Sequence, residues 1–405
     1  MEGVLLATEK LLLDYLSTAG CSPAITFLDK NLCKMGDVIV KSKTDTAIQF
    51  NDQALIAASK SWPFPVTMIR FNGNAAHIWF DRIEVFRMAL DGTGMDWHLP
   101  ATRRSSSTAK ISVEDQTTKA MDLTTLTEFR MDILRVVIKN CFVHAGYTMI
   151  GKEEIALQQD ARHVKIVQKR SKIPDEQHVE VLCGPVLSGE SMQNASQYIQ
   201  QRSNDMQLIA QHRYGLRIAN NTKLEQLVAS LGRSAAIVDM LHTKQTSAID
   251  MRNQHDTTRT QTSSKGAAFI LYNYARLASI FKKHARLVDQ KVLSEVPPAN
   301  EINFSLLVEP DEWHLLYVYL IRFPRILEKT LGHGEFARIA PYHLLDFTLS
   351  LVKCVSKYYC RIRILTENRP KLEPVMFARL HLLRTIFKLL ELLLKLLDME
   401  TVEEM

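Results

Sequence analysis

The chain of 405 residues predicts three fold types in succession: an α+β N-terminal region, an α/β middle region and an all-α helical bundle. Three observations lead there. Short β-rich runs flank an Asn-Gly turn near the start. Strand candidates alternate with helical patterns in the middle. From Ala267 onward almost every segment carries an apolar stripe at helical spacing. With 46% hydrophobic and 23% charged residues, the chain has enough apolar matter for more than one core.

Met1 to Ala19 has the period of a helix, stopped by Gly20 and Pro23. Residues Val38 to Phe86 hold the runs Val66–Phe71 and Ala76–Phe80, with Asn72-Gly73 as the turn between them. Trp79 and Phe80 read as core. Ala101 to Thr118 is Ser/Thr-rich and reads as a linker. Glu128 to Ala145 is a helix with Met131, Leu134, Ile138 and Cys141 on one face. His163–Val167 and His178–Leu182 are strand candidates, and Gln193–Arg202 and Leu224–Met240 are helices. Thr243 to Lys265 reads as a loop. The helices of the last region span Ala267–Leu287, Pro310–Leu331, Tyr342–Tyr359 and Pro374–Asp398, with prolines at starts where a missing N–H costs little. The expected domains are 1–100, 119–245 and 266–405.

The formal net charge of +6 is compatible with a polyanionic partner and with ordinary surface charge alike. Six cysteines form no CxxC pair and match no zinc spacing, so they read as reduced thiols of an intracellular protein. The charged residues near the N-terminus exclude a signal peptide, and Lys388, Glu391 and Lys395 interrupt the most apolar stretch, so no membrane segment is expected. No P-loop, GxSxG elbow, HExxH helix or GxGxxG loop occurs; Asp91-Gly92-Thr93-Gly94 lacks the third glycine. No cofactor and no metal are expected, and the expected address is the cytoplasm.

Two segments carry a specific resemblance. Tyr274-Ala275-Arg276-Leu277-Ala278-Ser279-Ile280 is one. The other runs from Tyr342 to Met405 and includes Ser356–Ile362, Ala378-Arg379-Leu380 and the chain's last residues. Together they resemble the DALR anticodon-binding domain of arginyl-tRNA synthetases. Leu224–Ala236 and Leu134–Met149 resemble, more weakly, segments that follow the synthetase's KMSKS and HIGH motifs. Both motifs themselves are replaced: Arg130-Met131-Asp132-Ile133 stands where the family has H-x-G-H, and Arg213-Tyr214-Gly215-Leu216-Arg217 stands nearest to KMSK. Adenylate formation needs donors on the developing phosphate charge. The chain therefore reads as a synthetase-like protein without aminoacylation and with no catalytic residues. It is similar to the DALR anticodon-binding domain-containing protein 3 family of animals. That resemblance implies a tRNA-binding adaptor that selects arginine tRNA and recruits a methyltransferase-like enzyme forming 3-methylcytidine in the anticodon loop.

The residues expected at the tRNA follow. Tyr358, Tyr359 and Arg361 stand where a helix runs into Arg363; tyrosines beside guanidinium groups suit stacking on splayed bases, and one of the two tyrosines is expected to do so while a buried tyrosine would pack the bundle. Tyr274 and Arg276 open the first helix, with Lys282, Lys283, His284 and Arg286 downstream as a run that could track phosphates. Arg384 and Lys388 share one side of the last helix with Lys395. Arg379 lies opposite, as an RNA contact or a structural pairing residue. Met405 matches the family's terminal methionine. Weaker candidates are Arg103, Arg104, Lys165, Lys169, Arg170 and Lys172. The alternatives are an active or vestigial arginyl-tRNA synthetase, distinguished by ATP–pyrophosphate exchange, and a protein–protein scaffold without RNA.

Overall fold

The computed structural model describes residues 2–18, 23–42, 48–90, 97, 108–113, 120–150, 161–170, 178–188, 194–214, 222–252, 257–333, 338–366 and 371–402. The chain forms two compact units. The first comprises Met1–Trp97, Lys282–Pro324 and Cys354–Ile386; the second comprises His98–Phe281, Arg325–Lys353 and Phe387–Met405.

In the first unit, helix α1 (Glu2–Thr18) precedes strands β1 (Pro23–Phe27) and β2 (Val38–Ser42), with the short helix α2 (Leu32–Met35) between them. Helix α3 (Asp52–Ser59) follows, capped by the Asn51 side chain, which accepts from the Ala54 N–H. Strands β3 (Val66–Asn72) and β4 (Ala75–Phe80) complete an antiparallel sheet of order β1-β2-β4-β3, and helix α4 (Arg82–Leu90) follows. The Asn72-Gly73 turn is where expected, with Gly73 at φ 60°, a conformation glycine adopts without steric cost. All six residues of β4 are buried. Trp79 and Phe80 are core, as read from the sequence, and the Trp79 indole donates to the Leu32 carbonyl at 3.0 Å.

Asp37 anchors this sheet. Its carboxylate accepts from the Phe80 N–H at 2.9 Å and from the indole of Trp313 at 2.7 Å, and its carbonyl accepts from the Tyr317 hydroxyl at 2.9 Å. Trp313 lies in helix α9 (Pro310–His314), and Tyr317 lies in the π-helical turn that continues it, Leu315–Ile321. The two rings stack at 5.2 Å. Gly36, just before Asp37, has φ 84°, and a Cβ there would meet the Ile78 carbonyl oxygen at 2.7 Å, so only glycine fits.

In the second unit, strands β5 (Thr108–Val113), β6 (Thr148–Met149), β7 (Arg162–Val167) and β8 (His178–Leu182) form a parallel sheet of order β6-β5-β7-β8. Helix α5 (Leu126–His144) is the crossover from β5 to β6 that parallel pairing demands. It starts at a capping box in which Thr125 and Glu128 satisfy each other's N–H groups. β5 corrects the reading of Ala101 to Thr118 as a linker. Its Thr, Lys and Ser residues gave the segment a polar composition, and only Ala109 on it is fully buried. Helices α6 (Ala195–Tyr214) and α7 (Thr222–His242) pair closely at Gly232, where a Cβ would come within 2.6 Å of the Ser203 backbone. Strands β9 (Val186–Leu187) and β10 (Ile249–Asp250) pair in parallel.

The C-terminal region is helical, as expected: α8 (Thr257–Asp289), α9, α10 (Phe323–Leu331), α11 (Tyr342–Arg361) and α12 (Glu373–Leu396). Thr243 to Lys265, read as one loop, contains β10 and the first turns of α8. Residues 266–405 contribute segments to both units. Among the described residues, no helix is long and apolar enough to cross a membrane.

Burial lifts the Asp37 carboxyl to about 6, against the hydrogen bonds from Phe80 and Trp313 that favour its charge. A raised acid pKa means that Asp37 contributes most to stability below 3.8 and that this contribution is lost as pH rises through about 6. Comparing denaturant unfolding of wild type and Asp37→Asn at pH 4 and pH 7 should therefore show a pH-dependent gap. The substitution should be less damaging at pH 7 by a few kcal/mol, because each tenfold change in proton affinity corresponds to about 1.4 kcal/mol. An equal gap at both pH values would refute the assignment.

Candidate nucleic-acid interface

Two of the cations expected at RNA, Arg361 and Arg379, are held by acids at the start of α9. Glu309-Pro310-Asp311-Glu312 begins that helix, with Pro310 at its first turn and the Glu309 N–H donating to Glu312 Oε2 at 2.9 Å. Negative charge there also suits the positive end of the helix. Glu312 is fully buried. Its Oε1 accepts from the Tyr358 hydroxyl at 2.8 Å and from Arg379 Nε at 2.9 Å. Asp311 accepts from Arg361 Nη1 at 3.0 Å and pairs with Lys357 Nζ at 3.4 Å; Arg361 also lies 3.8 Å from Glu309.

This arrangement sorts the expected residues. Tyr358 is corrected: it is fully buried, and burial beside Glu312 pushes its hydroxyl far above the usual phenol range. Its ring cannot meet a base while α11 stays packed. Arg379 resolves to its structural reading, with a side chain only 14% exposed and engaged with Glu312. Tyr359 is half-buried, and Arg361 and Arg363 are exposed at the end of α11. Arg361 is 48% exposed, so it meets solvent while Asp311 orients it. Arg363 Nε donates to the Leu365 carbonyl at 3.2 Å.

On α8, Lys282, Lys283 and Arg286 are exposed and His284 is buried. Burial and the neighbouring Arg384 of α12 hold His284 below the ordinary imidazole value. The same Arg384, itself exposed, acts on His381, whose Nε2 lies 3.0 Å from the Pro297 carbonyl. Arg384 thus lies close to two imidazoles that are both held below their ordinary value.

The remaining candidates belong to the second unit. Tyr274 is corrected as well: it is 3% exposed and stacks on Phe387 at 4.7 Å, so it is part of the core between α8 and α12. Arg276 is half-buried over the Tyr272 ring at 5.6 Å, and Lys388 is exposed on α12. Lys165 is half-buried in β7, and Lys169 and Arg170 are exposed after it. Met405, Arg103, Arg104 and Lys172 lie outside the described residues. Sequence reading missed Glu309, Asp311 and Glu312. Their signal was a proline-started helix with acids on both sides of the proline.

Arg130, read from the sequence as the first position of the segment replacing H-x-G-H, is fully buried on α5. Its Nη1 donates to the carbonyls of Gly184 at 2.8 Å and Ser247 at 2.7 Å. Nη2 donates to Thr243 at 3.2 Å and Lys244 at 3.0 Å, and Nε to Met240 at 3.2 Å. A guanidinium has five N–H donors, and five carbonyls take them. Desolvation lowers its pKa from the ordinary arginine value. The backbone packs tightly here: a Cβ on Gly184 would meet the Ser247 carbonyl oxygen at 2.4 Å. Gly215 to Arg217, nearest to KMSK, lie outside the described residues.

Residues 270–405 match the family model described as the DALR anticodon binding domain. A Danio rerio protein named DALR anticodon-binding domain-containing protein 3 is 34% identical over 215 residues, which is 52% of this chain and 38% of that protein. A Rattus norvegicus protein of the same name is 28% identical over 241 residues, covering 58% and 44% of the two chains. The alignments thus span less than half the length of these relatives. Among solved structures, Thermus thermophilus arginyl-tRNA synthetase superposes with a TM-score of 0.65 at 13% identity, over 99% of this chain and 100% of that one. The resemblance read from the C-terminal residues holds, and the fold is that of an arginyl-tRNA synthetase.

Two substitutions test the geometry by thermal melting. Tyr358→Phe leaves the buried Glu312 short of one donor and should cost about 1–3 kcal/mol. Arg130→Met strands five carbonyls and should cost at least roughly 3 kcal/mol. Wild-type melting of either variant would contradict the bonding described.

Proposed function

We propose that this protein binds arginine tRNA through its DALR region and does not itself aminoacylate. In this reading it is an adaptor that presents the tRNA, in the cytoplasm, to a methyltransferase forming 3-methylcytidine in the anticodon loop. The observation that carries the non-catalytic part is Arg130. At the position that the sequence reading matches to the family's H-x-G-H motif, every donor of this side chain is committed to a main-chain carbonyl, and none remains for a phosphate. The DALR match over residues 270–405 supports the tRNA part, and the name of the relatives agrees with it. The methyltransferase follows from the family resemblance alone.

Lys282, Lys283, Arg361, Arg363 and Arg384 are the cations of the first unit that would meet phosphates, and Tyr359 is the tyrosine placed to stack on a base. Asp311 and Glu309 fix the Arg361 guanidinium, so less side-chain freedom is lost on binding.

The synthetase fold favours a second reading, an active arginyl-tRNA synthetase. ATP–pyrophosphate exchange with arginine and tRNA separates the two: we expect none, and sustained turnover would sink the adaptor reading. Gel shifts supply the positive test. Arginine tRNA should bind more tightly than other tRNAs, and the Lys282→Ala, Lys283→Ala, Arg384→Ala triple variant should lower the log–log salt slope by about 3, roughly one for each phosphate deprived of its cation. Equal affinity for every tRNA, or an unchanged slope, would count against it.

A further inference from the structure

The second unit holds a basic and aromatic cluster that none of the expected tRNA residues includes. Tyr342 and His343, at the start of α11, lie with ring centroids 4.0 Å apart. Lys244, in the loop after α7, places its ammonium 5.9 Å from the Tyr342 ring centroid. Lys329 of α10 and Lys244 both act on His343. His242, Lys329 and Lys353 act on Asp346, the carboxylate one turn further along α11. Lys244 and Lys329 therefore border the aromatic pair, and Lys329 and Lys353 border the carboxylate. Burial and the two lysines hold the His343 imidazole down at about 4, so at neutral pH it is an uncharged ring. Lys244, His242, Lys353 and Asp346 are exposed, while Tyr342, His343 and Lys329 are half-buried.

The cluster is built on a held backbone. Gln245 Nε2 donates to the Ile339 carbonyl at 2.6 Å, and the Ala340 N–H donates to the Thr330 carbonyl at 2.8 Å. These bonds join the loop after α7, the end of α10 and the turn before α11. Arg130 grips the same loop from within, through the carbonyls of Thr243, Lys244 and Ser247. Arg130 thus positions the segment that carries Lys244.

We propose that Lys244, Lys329 and Lys353, with the Tyr342–His343 pair, form a second RNA contact outside the expected anticodon-reading residues, gripping the phosphodiester backbone and offering a ring face to an unpaired base. The chemistry fits this ligand: ammonium groups meet phosphates, and an uncharged aromatic pair stacks on any base. The inference rests on the tRNA-binding reading above, and its test separates the two.

Fluorescence anisotropy of whole arginine tRNA on the full chain, over a KCl series, compares wild type with Lys244→Ala/Lys353→Ala and with Tyr342→Ala. Both lysines are exposed, so melting should stay at wild type and report on folding separately. The lysine pair should lower the log–log salt slope by about 2 and the affinity at low salt on the order of 10-fold or more. Tyr342→Ala should weaken binding severalfold with the slope unchanged, because stacking carries no charge. Wild-type binding with both variants unaltered overturns this contact and leaves the anticodon reading standing. No binding by wild type overturns both. A lysine pair that keeps tRNA but no longer binds polyglutamate assigns the surface to an acidic protein and overturns the RNA contact.

Discussion

A charge taken out of water must be given hydrogen bonds in return, and Asp37, Glu312 and Arg130 show how this chain meets that constraint. Asp37 takes its bonds from Phe80 and Trp313, the latter 276 positions away in sequence. Glu312 takes its bonds from Tyr358 and Arg379. Arg130 gives its donors to Gly184 and to carbonyls of residues 240–247. Each centre ties together segments of its own unit that chain order keeps apart. Apolar contact alone would allow those segments to slide; directional bonds to one ion fix their register.

What the sequence disclosed follows from how strong each local pattern is. α5, α11 and α12 bury wide apolar stripes, and their period was plain. The Asn72-Gly73 turn announced β3 and β4. β5 stayed hidden because one fully buried alanine among Thr, Lys and Ser leaves no alternation to detect. At the interface, composition named both tyrosines, but only helix phase separates them. Leu351, Val355 and Tyr358 follow one another by four and three positions along the buried face of α11, and Tyr359 is rotated away from it. That phase was readable from the same residues. The partnership of Glu312 with Arg379 was not, because it joins helices separated by 67 positions and depends on how they pack.

The acids of α9 do several tasks at once. They complement the helix dipole, one of them closes the cap, and they hold α11 and α12 through Tyr358, Arg361 and Arg379. The expected RNA-facing cations thus divide by burial. Arg379 is engaged inside with Glu312, whereas Arg361 is oriented by Asp311 with half of its side chain in solvent. Residue type alone does not distinguish an architectural arginine from one available to a ligand; the distinction lies in what its acidic partner is packed against.

Arg130 also limits what can stand in its place. A histidine there would leave most of the five carbonyls without a donor. A Cβ on Gly184 would already meet the Ser247 carbonyl oxygen at 2.4 Å, so the main chain around the guanidinium is closely packed. The side chain at position 130 is thus matched in length and donor number to the backbone it holds, and a residue with fewer donors would leave that backbone unsatisfied.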